Sequence, residues 1–286
     1  MLSLRRSFTL SLAGLALAVS GCATDEPAPS YRWQTLMEHL PGAMLDIWGT
    51  SAQDVYAVGS DPMDGSGPLA FHYDGTRWTR LNTGLRRGTL WWVYGTGPDT
   101  VFMVGEGGTV LRYNPRTNRS ERLTTPGTST LFGVWGASTN DVWAVGGDTT
   151  ANTGVLWHFN GTAWNETPLP ENLGSQVILY KVWGTSANDV WTVGSNGTTL
   201  HYDGRAWTRV AIPMSARGPL FTVHGSGATR IAVGGNASGI ILEGNGMTWR
   251  HVDLPDAPRL AGVWVAPSAS PLPAGAQGSV YMRRNG

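Results

Sequence analysis

From about residue 44 onward the apolar residues fall in short runs, broken by glycine and by small polar residues. Runs such as Leu131 to Trp135 and Val142 to Val145, bounded by serine, threonine, asparagine and aspartate, have the length of strands and are too short for helices. The pattern then recurs. WGTSAQDVYAVGS (Trp48 to Ser60) and WGTSANDVWTVGS (Trp183 to Ser195) are identical at ten of thirteen positions, and WGASTNDVWAVGG at Trp135 is a third copy. Degenerate copies begin at Tyr94, His224 and Trp264. The apolar runs before them start near residues 44, 90, 131, 179, 220 and 260, spacings of 40 to 48 residues. That period suits four strands per unit in a ring of blades.

Each unit reads as four strands, a to d. LFGVWG is strand a, DVWAVG strand b, a run such as LAFHY strand c, and WTRL strand d. Asp74-Gly75, Asn160-Gly161 and Asp203-Gly204 supply the turn from c to d. The strands are apolar on both faces, as expected of sheets packed between two neighbours. Three aromatic sets then become repeated layers of core: Trp48/Tyr94/Trp135/Trp183/Trp264, Tyr56/Phe102/Trp143/Trp191 and Trp33/Trp78/Trp164/Trp207/Trp249.

The ends supply the count. Arg283 to Gly286 match His201 to Gly204 and leave the last unit without strand d, whereas Tyr31 to Leu36 match Thr76 to Leu81 and are a strand d without a unit. The expected fold is all-β: a six-bladed β-propeller over 31–286, closed by the N-terminal strand completing the last blade. Such closure removes the open sheet edges.

The chain before this has another character. Arg5 and Arg6, the apolar run Phe8 to Val19 and then small residues form a secretory leader over 1–21, too short to span a bilayer. Val19-Ser20-Gly21-Cys22 resembles the lipobox of bacterial lipoproteins. The resemblance implies acylation of Cys22 and a lipid anchor, palmitate among its chains, with residues 22–30 as a tether. Cys22 is the only cysteine, so no disulfide forms within the chain. Ala23 stands where an aspartate would signal inner-membrane retention, which points to the outer membrane.

Composition narrows the partners. There are 39 glycines and 14 tryptophans in 286 residues, and charged residues make up 14%, which fits short turn-linked strands. Twenty basic and twenty acidic residues cancel, so no global field favours nucleic acid. The units resemble bacterial β-propeller repeats of the Asp-box (BNR-like) and WD40-like group. Asp74 to Trp78, D-G-T-x-W, matches part of the Asp-box, but the serine is absent and the spacing tighter. Sialidases share that box, and their arginine triad has no counterpart here.

Loop lengths select a face. The a-to-b turns are nearly constant, whereas the b-to-c spans vary from 7 to 13 residues and the d-to-a connections vary too. Both variable sets lie at one face of a propeller, where repeat scaffolds build binding surfaces. The candidate contacts there are Asp61, Asp64, Arg86, Arg87, Glu106, Asp148, Glu171 and Arg217. A second candidate is the central channel, where one position of strand a varies: Asp46, Trp92, Lys181 and Thr222, with Asp46 and Lys181 on opposite blades. His72, His158 and His201 recur on strand c of different blades, too far apart to share a metal, and read as scaffold. Asp61 to Gly65 lacks the alternating oxygens of a calcium loop. The sequons at Asn118, Asn160, Asn165, Asn196 and Asn236 read as turn chemistry.

No metal, cofactor or catalytic set is expected. The leading expectation is a monomeric, non-enzymatic, lipid-anchored envelope protein that presents a propeller face to a protein partner. The alternatives are a lectin-like glycan binder, for which Trp91, Trp92 and Trp157 must be exposed, and a glycan hydrolase or lyase.

Overall fold

The computed structural model describes residues 35–174, 176–265 and 272–276. The chain divides into two compact units, Met1–His39 and Leu40–Gly286. The leader, Cys22, the tether, residues 31–34 of the expected closing strand and residues 283–286 lie outside the described residues. Of the first unit residues 35–39 are described, and they form no strand.

Among the described residues the second unit holds five four-stranded antiparallel sheets and a two-stranded one. The first runs Met44–Ser51, Asp54–Gly59, Ala70–Tyr73 and Trp78–Arg80, adjacent in chain order. The same a–b–c–d order follows strands Leu90–Gly97, Thr130–Ser138, Leu179–Ser186 and Leu220–Ser226. Leu260–Trp264 pairs with Leu272–Gly275.

Local chemistry accounts for the turns. In the c-to-d hairpin of the first sheet the Asp74 carboxylate accepts the amides of Thr76 and Arg77, both at 2.9 Å, while Gly75 takes φ 89°. Asn160 with Gly161 and Asp203 with Gly204 repeat the arrangement. A short side-chain acceptor followed by a residue free to adopt positive φ is what this turn requires.

Packing explains why the strands are apolar on both faces. Tyr56 and Val58 of the first sheet meet Leu90, Val93 and Met103 of the second. Phe102 and Val104 meet Leu131, Val134 and Trp157 of the third; Trp143 and Val145 meet Leu179, Val182 and Trp207 of the fourth. Trp191 and Val193 meet Leu220, Val223 and Trp249, and Ile231 and Val233 meet Leu260 and Val265. Every cluster thus joins one sheet to the next, so a middle sheet buries both its surfaces.

One irregularity recurs in every inner strand. Pairing with strand b skips Leu45, Trp91, Phe132, Tyr180, Phe221 and Ala261 in turn, as in Leu90↔Gly105 followed by Trp92↔Val104. These are β-bulges, which bend a strand and re-aim the unpaired side chain.

Candidate functional site

The six inner strands surround a cavity of about 500 Å³ and all contribute to its wall. Side chains two apart on a strand share a face, and here the third and fifth residues of each apolar run turn inward. The third residues Asp46, Trp92, Lys181 and Thr222 all line the cavity, as do the fifth residues Trp48, Tyr94, Trp135, Trp183, His224 and Trp264. Gly133 instead lies against the neighbouring strand, 3.2 Å from the Lys181 Cα to where a Cβ would be.

The fifth residues form an aromatic collar. Ring centroids are 5.7 Å apart for Trp48 and Tyr94, 6.3 Å for Tyr94 and Trp135, and 5.4 Å for Trp183 and His224. All but Trp264 are followed by glycine, and for three of these glycines the reason is geometric. A Cβ on Gly184 would stand 2.8 Å from the Trp135 ring, one on Gly225 2.8 Å from the Trp183 ring, and one on Gly95 inside the Trp48 ring. At these three junctions the aromatic of one repeat therefore lies over the glycine of the next. The core role expected of this set holds for Trp135, which is buried, and for Trp48, Tyr94 and Trp183, which pack against the core clusters, while Trp264 is 53% exposed.

Two opposite charges share the cavity without forming an ion pair. Lys181 is buried, and its Nζ sits 2.8 Å above the centre of the Trp92 ring. Among the described residues its ammonium has no hydrogen-bond acceptor. The Asp46 carboxylate accepts the Val93 amide at 2.9 Å, reaching from the first inner strand to the second. Burial pushes the Asp46 carboxyl up to about 7, against the pull of Lys181 and of two backbone amides. Burial likewise brings the Lys181 ammonium down to about 7, with Asp46 opposing. His224 accepts the Val265 amide through Nδ1 at 3.1 Å, and burial, then repulsion from Lys181, lower it to about 4; it is neutral at pH 7. Thr222 donates to the Ala261 carbonyl at 2.7 Å.

Next to the cavity the bulged side chains form a second aromatic row. Trp91 and Phe132 are 5.5 Å apart, Phe132 and Tyr180 5.9 Å, Tyr180 and Phe221 5.5 Å, and Arg259 stands 5.7 Å from Phe221. All four rings are half-buried. Trp157, by contrast, is 1% exposed inside the core, which removes it as a glycan platform.

The loop candidates separate by charge. Asp61 accepts the amides of Met63 and Gly88 at 2.8 and 3.0 Å, and Glu106 accepts that of Thr89 at 3.1 Å, so both tie a b-to-c loop to a d-to-a loop. Asp64 accepts the Ser66 amide and Asp148 those of Thr150 and Ala151. Glu171 is exposed in a 3₁₀ turn, Glu171–Leu173. Arg86, Arg87 and Arg217 are exposed, with no polar partner among the described residues. Four of the five carboxylates thus hold loop backbone, while Glu171 and the arginines face outward.

Sequence reasoning overlooked the partners of the histidines. His72 bonds Asp54 at 2.7 Å, His158 bonds Asp141 at 2.7 Å and His201 bonds Asp189 at 2.9 Å, each on its own sheet. Each ring also packs on Tyr56, Trp143 or Trp191. A signal was present: aspartate opens strand b in the three units that carry the histidine, while the units with Arg112 and Glu243 in its place open on Thr100 and Thr229. No cluster able to hold a metal ion occurs among the described residues. No helix there is long and apolar enough to cross a membrane.

No protein-family model and no curated protein matches the chain. Solved structures resemble it. The computationally designed protein Ika8 aligns at TM-score 0.61 and 13% identity, over 84% of this chain and 70% of that one. YCF48 bound to D1 peptide aligns at 0.60 and 14%, over 90% and 97%. YCF48 from Cyanidioschyzon merolae aligns at 0.56 and 12%, over 87% and 97%. With the sheets described above, these likenesses show a WD40-like β-propeller fold.

Proposed function

We propose that this protein is a non-enzymatic binding scaffold, a monomeric six-bladed propeller closed by its N-terminal strand. A lipid on Cys22 holds it to the outer membrane, and its loop face is presented to an envelope protein. The aromatic row Trp91, Phe132, Tyr180 and Phe221 carries the reading. Half-buried rings beside arginine-bearing loops form a surface for an extended, acidic protein segment with apolar side chains. Arg86, Arg87 and Arg217 precede the second and fifth inner strands by a few residues, which brings their loops to the end of the strands where the row lies. YCF48, a chain of similar fold, is bound to D1 peptide, which supports a peptide as the occupant. The complementary ends, residues 31–36 and 283–286, support the closure, and the lipobox supports the anchor.

Crosslinking in the intact envelope tests the reading. The wild-type chain captures a discrete protein, the variant with Arg86, Arg87 and Arg217 changed to Glu does not, and Cys22→Ser abolishes fatty-acid labelling. Capture of no protein, with saturable binding on a glycan array, would replace the reading with a lectin-like one.

A further inference from the structure

We propose that the axial cavity is a second binding site, for a small ring compound bearing one carboxylate, held by the Lys181 ammonium and stacked on the surrounding indoles. The first observation is an unmet donor. Lys181 is 6% exposed and lines the cavity, yet among the described residues its ammonium has no acceptor and rests on the face of Trp92. Buried charged groups ordinarily have hydrogen-bonded partners. A carboxylate entering the cavity gives this one a charge-assisted hydrogen bond, the strong kind.

The wall sets the rest of the ligand. Trp48, Tyr94, Trp135 and Trp183 line a space of about 500 Å³, within the size range of small-molecule sites and able to take one ring. Offset stacking on such rings adds to simple burial. Charge limits the anion. A single ammonium shares the cavity with Asp46, so a dianion such as phosphate would be left unbalanced, whereas a monocarboxylate is matched. Asp46 and Lys181 both stand at about 7, and a carboxylate entering beside them favours the charged ammonium and the uncharged Asp46, since an opposite charge raises the one and a like charge raises the other. Asp46 and Thr222 then offer polar contacts to a hydroxyl on the ring.

Calorimetric titration of the full chain in detergent tests this with benzoate, cyclohexanecarboxylate, benzamide, inorganic phosphate and glucose. Benzoate binds one to one, and benzamide, of the same shape but uncharged, binds at least about tenfold more weakly. Lys181→Met brings benzoate down to the affinity of benzamide and leaves benzamide unchanged. Equal affinity for acid and amide overturns the proposal, as does preferential binding of phosphate or glucose, or no binding of either carboxylate at about 10 mM. If Lys181→Met does not fold, the acid-against-amide comparison on the unchanged chain decides alone. No protein partner is needed in this titration, so its result is independent of the loop-face reading.

Discussion

Arg230, on strand b of the fifth sheet, places its guanidinium 2.7 Å from Asp189 on strand b of the fourth. The same Asp189 receives Thr185, the Trp191 indole at 2.8 Å and His201 at 2.9 Å, while Arg230 also lies 4.8 Å from the Trp191 ring. One carboxylate therefore ties three strands of its own sheet and the next repeat. Arg230 is 7% exposed, so losing its partner strands a buried cation. Asp189→Ala is expected to cost about 3–5 kcal/mol in urea unfolding. Asp54→Ala removes the equivalent contacts to Thr50 and His72, but no arginine, and should cost about 1–2 kcal/mol. Equal losses would show that the cross-sheet pair contributes nothing.

The same carboxylate gives an acid limb. Burial pushes Asp189 up, but bonds from Thr185, Arg230 and Trp191 outweigh it and hold the group at about 2, below its ordinary 3.8. A depressed carboxyl stabilises the fold above the unfolded value and ceases to do so as pH falls through the folded one. Unfolding free energy should therefore drop between pH 3.8 and 2, and Asp189→Asn should flatten that segment.

Asp46 and Lys181 act in the opposite sense. With its carboxyl raised to about 7, folded Asp46 binds more protons than the unfolded chain between 3.8 and 7, so its contribution falls as pH rises across that window. With its ammonium lowered to about 7, folded Lys181 binds fewer protons between 7 and 10.5, so its contribution rises there. The pair predicts a shallow stability minimum near pH 7. Lys181→Met should abolish the alkaline rise and move Asp46 further up, a shift that carboxyl-selective NMR reads directly.

Gly95 and Gly97 stand two residues apart on one inner strand with opposite surroundings. A Cβ on Gly95 enters the Trp48 ring, whereas one on Gly97 meets nothing within 4 Å. Gly95→Ala should cost about 1–3 kcal/mol by overpacking, and Gly97→Ala should stay within about 0.5 kcal/mol. Thermal melts with Trp fluorescence would detect both, and a benign Gly95→Ala would mean that the collar is free to move.

The repeats made the strands legible. Apolar runs, aspartate or asparagine before glycine, and near-identical copies at Trp48, Trp135 and Trp183 are local features, and local backbone chemistry turns them into a–b–c–d sheets. The variable third position of strand a also named Asp46, Trp92, Lys181 and Thr222 as a set. The histidine–aspartate pairs were less visible, since their partners lie 12 to 18 residues apart on different strands and their meeting depends on register.

What the chain by itself determined is therefore the repeating unit, its turns and its all-β character, each fixed by neighbours in sequence. Tertiary structure decided the rest. The bulges turned Trp91, Phe132, Tyr180 and Phe221 into a row, and the convergence of separate inner strands set a buried lysine and a carboxylate in one cavity. Both depend on how each sheet docks on the next, and burial, which sets the charge of Asp46 and Lys181, exists only once those sheets have docked.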